Sequence, residues 1–390
     1  MELQTLLRAY ENYGSPAYLF DADALQDRVR QIRALSGGAK LCFAVKANPF
    51  LVRHMADLVD RIEVCSPGEL EICIRQKLDA DKLLISGVNK TEDFIRRAMD
   101  CGVRHFTAES PRHMRLLDRL SRERETPLLV YPRLETGAQF GMDLSDLRRI
   151  VEQRADYPFC RIAGVHAFSG TQRSRLKQHA KELDRLRAVL EGLRADYGFE
   201  AEELEYGPGL YYPYFQNEPE EDLSLYARFM DLLSEAALPC PVTIEMGRYF
   251  TAGCGYYLTA VNDVKRSREH PIAILDGGIH QLNYYGGAAG MYVPRFLHIP
   301  MGEAAPAADG PEDWMLCGSL CTTADVIVRS VSLDAPLAEG DLLVFQNVGA
   351  YSMTEGLSLC LSRALPKVLL YENDGLRLLR GAIETYELNQ

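Results

Sequence analysis

Several familiar features are missing from this 390-residue sequence, and each absence excludes a class of protein. No apolar run reaches the roughly 20 residues that a membrane-spanning helix needs, so we predict no association with membranes. The first residues lack the basic and then apolar pattern of a secretion signal. Positive charge is also scarce, because the formal net charge is −12, and this argues against a nucleic-acid partner. An anionic ligand would need a local group of donors.

Paired metal-ligand motifs are missing as well. The sequence has ten cysteines, but none of them forms a CxxC pair, so we predict neither a metal site nor a disulfide framework. Unpaired thiols are typical of a reducing compartment, which predicts a cytoplasmic protein. The 47% of hydrophobic and 25% of charged residues are those of an ordinary globular protein, and the length suits two domains.

From residue 24 to residue 250, short apolar runs alternate with amphipathic helical stretches. Such alternation predicts the α/β class, and eight runs over this length predict a parallel (β/α)8 barrel of the TIM type. An open doubly wound sheet is the alternative, although the first run is followed by Lys46–Pro49 instead of a glycine-rich turn. The predicted strands are 41–46, 62–66, 82–86, 105–109, 127–134, 162–168, 204–209 and 241–247.

After residue 250 the helical periodicity fades, and β-branched or aromatic runs are separated by Gly and Asp turns. We therefore predict a second, mostly antiparallel β domain at 251–390, which residues 1–23 join through the run Pro16–Phe20. The barrel domain would be 24–250. The predicted strands of the second domain are Tyr256–Val261, Ile272–Leu275, Val326–Val331, Leu342–Phe345 and Lys367–Tyr371.

Chemically versatile residues follow several of the barrel strands. Lys46 ends the first run, His166 lies in the sixth, and Glu245 and Arg248 lie at the end of the eighth. Barrel enzymes build their active sites from such positions. An interior lysine tends to lose its proton and become a nucleophile, able to form a Schiff base. Each residue alone has an ordinary structural explanation, but the set together matches the needs of pyridoxal 5'-phosphate.

The glycines at these strand ends fit the same cofactor. Gly207-Pro208-Gly209 follows the seventh strand, and without Cβ atoms its backbone N–H groups can approach a phosphate closely. The hydroxyl of Ser169 would add a donor, and the guanidinium of Arg248 can give two bonds to phosphate oxygens.

With these residues the chain resembles the alanine-racemase-like (fold type III) pyridoxal phosphate enzymes, on the branch of the ornithine and diaminopimelate decarboxylases. The resemblance covers nearly the whole chain. It rests on Phe43–Asn48, Ser66–Leu70, His166–Gly170, Gly207–Gly209, Glu245–Tyr249, Cys317–Cys321 with Asp325, and Gly349–Ser352.

The resemblance implies a role for each site residue. Lys46 would carry the cofactor as a Schiff base, His166 would stack on its ring, and Glu245 would pair with the pyridine nitrogen. Cys321 would protonate the carbanion in the partner's site across an isologous homodimer interface. The residues implied to hold the phosphate are Ser169, Gly207, Gly209, Gly247, Arg248 and Tyr351.

Departures from the family pattern concern the substrate. Thr322 stands where the ornithine enzymes have an acidic residue after the catalytic cysteine, and the stretch Gly286–Ala289 offers neither a carboxylate nor an arginine. We therefore expect a small-molecule or carrier-bound amino acid with a neutral, acidic or extended tail, of the kind found in siderophore or antibiotic pathways. Arg295 is a candidate partner for an anionic tail, although a surface role is the ordinary explanation.

The predicted function is that of a lyase, a decarboxylase acting through a Schiff base and a quinonoid. The alternative is an amino-acid racemase on the same fold. Racemases of this group place an arginine against the pyridine nitrogen, and Glu245 favours decarboxylation instead. A non-catalytic cofactor-binding barrel is a third hypothesis, and the second domain with Cys321 and Tyr351 argues against it.

Overall fold

The computed structural model describes residues 1–267, 270–284, 291–301 and 311–390. The strands, in chain order, are β1 (Ala17–Asp21), β2 (Lys40–Ala44), β3 (Arg61–Val64), β4 (Leu83–Ile85), β5 (His105–Ala108), β6 (Leu128–Leu134), β7 (Cys160–Ile162), β8 (Gly164–Phe168), β9 (Glu203–Gly207), β10 (Val242–Met246), β11 (Gly255–Arg266), β12 (Pro271–Leu275), β13 (Phe296–Ile299), β14 (Glu312–Cys317), β15 (Val326–Leu333), β16 (Leu342–Gln346), β17 (Lys367–Glu372) and β18 (Gly375–Arg380). The α-helices are α1 (Leu3–Tyr13), α2 (Ala22–Leu35), α3 (Val52–Ala56), α4 (Pro67–Arg75), α5 (Glu92–Asp100), α6 (Pro111–Glu123), α7 (Leu144–Glu152), α8 (Leu176–Tyr197), α9 (Ser224–Glu235) and α10 (Arg248–Thr251).

The chain divides into two compact units. The barrel unit consists of residues 28–212 and 221–249, and the β-rich unit of residues 1–27, 213–220 and 250–390. The division into domains at residues 24 and 250 stays a prediction.

The barrel unit contains a closed parallel sheet. Its strands follow the order β5-β4-β3-β2-β10-β9-β8-β6, and the pairing of β5 with β6 closes the ring. The short strand β7 also pairs with β6 and runs into β8, so the two form one interrupted strand. The predicted eight-stranded barrel is confirmed, and each predicted run overlaps an observed strand.

The helices of the barrel begin where the sequence provides capping residues. The side chains of Ser66, Thr91, Ser110 and Asp143 each accept a bond from a backbone N–H in the first turn of α4, α5, α6 and α7. Proline occupies the first position of α4 and α6, where its missing N–H costs nothing. These short βα connections bring the strand ends together on one rim.

The β-rich unit contains a second sheet, with the path β15-β14-β12-β11-β1-β17-β18 and β16 joining β11 to β13. Most pairs are antiparallel, as predicted, but β1 pairs with β17 and β12 pairs with β14 in parallel. The run Pro16–Phe20 does belong to this sheet. The strands β13, β14 and β18 were not predicted; charged residues interrupt the apolar patterns of β14 and β18.

Helix α1 belongs to the core of the β-rich unit. Its residues Leu6 and Ala9 pack with Leu258 of β11 and with Val344 of β16, and Leu6 and Ala9 are fully buried. Among the described residues, no helix is long and apolar enough to cross a bilayer. All ten cysteines are unpaired thiols.

The junction between β7 and β8 leads to a prediction about stability. A Cβ atom on Gly164 would lie 1.9 Å from the backbone oxygen of Glu203 in β9, so Gly164→Ala must push two paired strands apart. We expect this variant to lose about 2 kcal/mol or more of unfolding free energy. Gly192→Ala in α8 is the control, because its Cβ would meet nothing nearer than 3.8 Å.

The control variant should gain up to about 1 kcal/mol, since alanine is the better helix former. Urea unfolding of both variants, followed by circular dichroism, measures the difference. Equal stabilities for the two would contradict the close strand contact at Gly164.

Candidate active site

Lys46 lies in a short turn at the end of the first barrel strand. The strand β2 ends at Ala44, and Val45–Ala47 forms a 3₁₀ turn. The predicted strand 41–46 is therefore two residues too long, and the Lys46 side chain is 37% exposed instead of interior. The next turn explains the early end, because the Asn48 side chain caps it by accepting a bond from the backbone N–H of Phe50 at 3.1 Å.

Carboxylates surround the Lys46 amine. Its Nζ donates a short hydrogen bond to Oε2 of Glu63 in β3, and it lies 4.0 Å from Oε1 of Glu245 in β10. The Sγ of Cys65 is 3.6 Å from the same Nζ and 3.1 Å from Oε1 of Glu63. Burial, and then the charge of Glu63, raise the pKa of the Cys65 thiol, so this cysteine is a neutral hydrogen-bond donor.

Glu245 and His166 form a buried pair beside Lys46. Nε2 of His166 donates to Oε2 of Glu245 at 3.0 Å, and both side chains are at most 4% exposed. Burial alone would raise the pKa of the Glu245 carboxyl. The hydrogen bond from His166 and the charge of Lys46 outweigh burial and lower that pKa. Glu245 is therefore an ionised carboxylate in the interior of the barrel.

The glycines after β8 and β9 allow two loops to touch. Gly209 has φ +60°, and a Cβ atom there would lie 1.7 Å from the backbone oxygen of Gly170. A Cβ on Gly207 would meet the ring of Phe168 at 2.4 Å. No larger residue fits either position. Within the described chain, the buried Oγ of Ser169 has no hydrogen-bond partner, and neither does the Nδ1 of His166.

Gly247 and Arg248 follow β10 directly. A Cβ atom on Gly247 would lie 2.7 Å from the Cβ of Ala47, so this glycine packs against the turn that carries Lys46. Arg248 begins α10 and is 9% exposed. The structure thus brings Lys46, His166, Glu245 and Gly247 to one rim of the barrel.

Cys321 and Tyr351 belong to the β-rich unit. Cys321 is exposed in the turn between β14 and β15. The buried carboxylate of Asp325 anchors this turn, accepting bonds from the backbone N–H groups of Ile279 at 2.9 Å and Leu320 at 2.7 Å. Tyr351 is half-buried and has a positive φ of 67°.

Two substrate predictions have different outcomes. The guanidinium of Arg295 donates a short bond to the backbone oxygen of Glu218 and lies 3.9 Å from the carboxylate of Glu220. These structural contacts account for Arg295 without a substrate. The stretch Gly286–Ala289 lies outside the described residues.

Glu63 and Cys65 are site residues that the sequence interpretation missed. Both alternate with apolar residues in or just after β3, so their side chains face the barrel interior. The available signal was a carboxylate between the apolar residues Ile62 and Val64 of the predicted strand 62–66, of the same kind as the lysine at position 46.

These features fit the cofactor that the sequence predicts. An amine beside two carboxylates can attach an aldehyde, two touching glycine loops leave backbone N–H groups unobstructed, and buried polar atoms of Ser169 and His166 remain open to a ligand. The donor set therefore matches pyridoxal phosphate.

Curated relatives support the same conclusion. The chain is 29% identical to a diaminopimelate decarboxylase of Pseudomonas aeruginosa, over 89% of this chain and 85% of that protein. It is 27% identical to L-glutamyl-[BtrI acyl-carrier protein] decarboxylase of Niallia circulans, over 97% of this chain and 93% of that protein.

Solved structures share the fold. The diaminopimelate decarboxylase from M. jannaschii has a TM-score of 0.85 at 21% identity, with 98% of this chain and 93% of that chain covered. A lysine/ornithine decarboxylase from Vibrio vulnificus has a TM-score of 0.81 at 20% identity, with coverages of 96% and 99%.

The family model described as pyridoxal-dependent decarboxylase, pyridoxal binding domain, matches residues 22–252. This range includes the whole barrel and the rim residues Lys46, Glu63, His166 and Glu245. The chain belongs to the pyridoxal-dependent decarboxylases.

Proposed function

We propose that this pyridoxal phosphate-dependent carboxy-lyase removes the carboxyl group of an amino acid with a neutral or extended tail, including one held on a carrier protein. The observation that carries the proposal is the cluster of Lys46, Glu63, Glu245 and His166 at the barrel rim. Bound pyridoxal phosphate supplies an electron sink for the bond that breaks when carbon dioxide leaves.

Each rim residue has a distinct task in the proposed site. Lys46 attaches the cofactor, and Glu63 accepts the proton that the Lys46 amine must lose beforehand. The ionised Glu245 provides a negative charge for a protonated ring nitrogen. His166 holds the carboxylate of Glu245 in place and offers one face of its ring for stacking.

The glycine loops and hydroxyl groups of the site would bind the cofactor phosphate. The backbone N–H groups around Gly207, Gly209 and Gly247 would donate to it, together with the Ser169 hydroxyl. Arg248 would balance its charge from the start of α10, and Tyr351 of the β-rich unit is assigned to the same task by the family resemblance.

Lys46 should be the only lysine that carries the cofactor. Borohydride reduction of the purified protein followed by peptide mapping should find the modified residue at position 46, since its amine adjoins Glu63 and Glu245. Lys46→Ala should lose the label, and Lys82→Ala, which removes an amine bonded to the backbone oxygens of Ala56 and Val59, should keep it. Label on another lysine, or no label at all, would refute the assignment of Lys46.

Cys321 is proposed to protonate the substrate carbon in the site of a second copy of the chain. Its exposure and the rigid Asp325-anchored turn support this role, because a donor that serves another subunit must protrude and hold its position. Large apolar side chains are exposed on the same unit, which supports a homodimer. They are Leu357, Leu359, Leu361, Tyr386 and Leu388.

Mixing two inactive variants tests this arrangement. Lys46→Ala and Cys321→Ala should each be nearly inactive, and their equal mixture should recover about a quarter of the activity. Random pairing gives mixed dimers half of the time, and each mixed dimer has one intact site of two. Cys360→Ala, a less exposed cysteine of the same unit, is the control and should stay active. No recovery after confirmed subunit exchange would place Cys321 in its own subunit's site or outside catalysis.

The substrate tail is proposed from the Cys321 turn and a neighbouring cavity. Thr322 gives the turn a hydroxyl instead of a carboxylate, and the carboxylate of Asp325 is buried and already bonded. A cavity of about 710 Å³ adjoins the turn at Ala324. It is mostly apolar, with one charge of each sign from Arg329 and Glu355, so it suits a long tail that is neutral overall.

Relatives support the same substrate class without deciding it. Identities of 27–29% do not separate the diaminopimelate enzymes from the carrier-protein enzyme, but the carrier-protein enzyme matches over more of both chains. The relatives compared above are decarboxylases, so the racemase alternative gains no support from them. Ten unpaired thiols support the proposed cytoplasmic location.

Free dibasic amino acids should be poor substrates, because a buried ammonium without a carboxylate costs several kcal/mol. We expect kcat/KM for free ornithine or lysine to be at least about tenfold below that for an aminoacyl group on a phosphopantetheine thioester. Thr322→Asp should raise activity on ornithine, and Thr323→Asp is the neighbouring control. Free ornithine or lysine turned over with kcat/KM of about 10⁴ M⁻¹s⁻¹ or above would refute the assignment.

A further inference from the structure

A second lysine, Lys90, is buried at the same rim as Lys46. It lies in the loop after β4 and is only 1% exposed. Its Nζ donates to the backbone oxygen of Gly87 at 2.6 Å and to Oγ1 of Thr107 in β5 at 3.0 Å. A lysine is rarely buried unless a charge compensates it, so the surroundings of this amine need an explanation.

On one side, Lys90 is connected to Lys46 through Gly87 and Cys65. Gly87, whose carbonyl Lys90 binds, has φ +80°, and a Cβ atom there would lie 2.3 Å from the backbone oxygen of Cys65. The loop that Lys90 fixes is therefore pressed against Cys65. The thiol of Cys65 in turn contacts Lys46 and Glu63.

On the other side, Lys90 is connected to Glu245 through Glu109 and Arg133. The buried carboxylate of Glu109 accepts a bond from Arg133 at 2.9 Å and from the backbone N–H of Gly141 at 2.9 Å. Arg133 lies opposite His166 in the β6–β8 register. Burial raises the pKa of Glu245, and the charge of Arg133 helps to lower it, with a smaller effect than those of His166 and Lys46. The Glu109 carboxylate thus bonds to Arg133 and interacts electrostatically with Lys90.

We propose that Lys90 is a positioning residue, whose buried ammonium holds Cys65 on one side and shares Glu109 with Arg133 on the other. In this way it fixes the charges around Lys46 and Glu245 without touching the cofactor. The inference rests on the proposed function, because it assumes that Lys46 and Glu245 serve the cofactor.

The charge of Lys90 changes within an accessible pH range. Burial lowers the pKa of Lys90 to about 8, against the opposing influence of Glu109 and Glu63, while Arg133 lowers it further. Lys90 is therefore mostly charged well below pH 8 and mostly neutral well above it. When it loses its proton, Glu109 is left with Arg133 alone, and the field at Glu245 changes. Glu205, whose pKa burial raises to about 8, titrates in the same range and needs its own control.

The experiment follows the absorbance of the bound cofactor against pH and the dissociation constant of the cofactor. The parent protein should show a transition near pH 8. Lys90→Met, which removes the charge and keeps an unbranched side chain, should abolish this transition and weaken cofactor binding about tenfold. Thr107→Val removes one acceptor of the ammonium with little change of shape, and should move the transition to lower pH.

Two controls separate this role from a purely structural one. Lys82→Met also removes an ammonium that binds two backbone oxygens near β4, but this ammonium is not bonded to a charged residue of the site. The variant should leave the pH transition and the cofactor affinity unchanged. Glu205→Gln should keep the transition. The inference is overturned if Lys90→Met retains the transition and binds the cofactor as tightly as Lys82→Met does.

Two further outcomes are informative. If Lys90→Met does not fold, Thr107→Val decides, since an unshifted transition in that variant overturns the inference. Borohydride mapping of the parent protein is independent of Lys90. Label at Lys46 with a transition that does not depend on Lys90 refutes this inference alone, whereas absence of label at Lys46 refutes the proposed function.

Discussion

The barrel rim depends on keeping one buried carboxylate, Glu245, ionised. A charge in the interior is costly unless it is paired and hydrogen-bonded. Glu245 meets this requirement through the 3.0 Å bond from His166 and through the ammonium of Lys46 at 4.0 Å. The compensation comes from β8 and from the turn after β2, two elements far apart in sequence that flank β9 and β10 in the sheet. The charge balance of the site is therefore a consequence of barrel closure.

Buried charges are also paired deeper in the barrel, below the rim. Arg61 of β3 bonds to Glu203 and, at 2.5 Å, to Glu205 in β9, and its guanidinium lies 5.1 Å from the ring centre of Tyr131. Barrel interiors are commonly filled with branched apolar side chains, whereas this one holds a buried ion cluster. Burial raises the pKa of Glu205 to about 8, so near neutral pH it is mostly uncharged. Its neutrality keeps a second negative charge away from Glu245, whose ionised form would otherwise be disfavoured.

The fold was largely predictable, because each barrel strand corresponds to a short apolar run in the sequence. The sequence also predicted the rim residues Lys46, His166 and Glu245, since the ends of parallel strands meet on one rim. What it could not reveal was the surroundings of each group. Lys46 was treated as an interior lysine that closes the first strand, but β2 ends at Ala44 and the side chain is 37% exposed. Glu63 and Cys65 escaped notice because only the strand pairing puts them beside the lysine.

These surroundings change the chemical interpretation of Lys46. Burial as the route to a neutral amine is no longer required, because a proton acceptor, Glu63, is already hydrogen-bonded to Nζ. The Lys46 side chain is 37% exposed and lies between the carboxylates of Glu63 and Glu245. In the proposed site, Lys46 would pass a proton to Glu63 before it attaches the cofactor. The raised pKa of Cys65 fits this arrangement, because a thiolate next to Glu63 would add a third negative charge to the same corner. The thiol stays neutral, donates to Glu63 at 3.1 Å, and leaves that carboxylate oriented toward the amine.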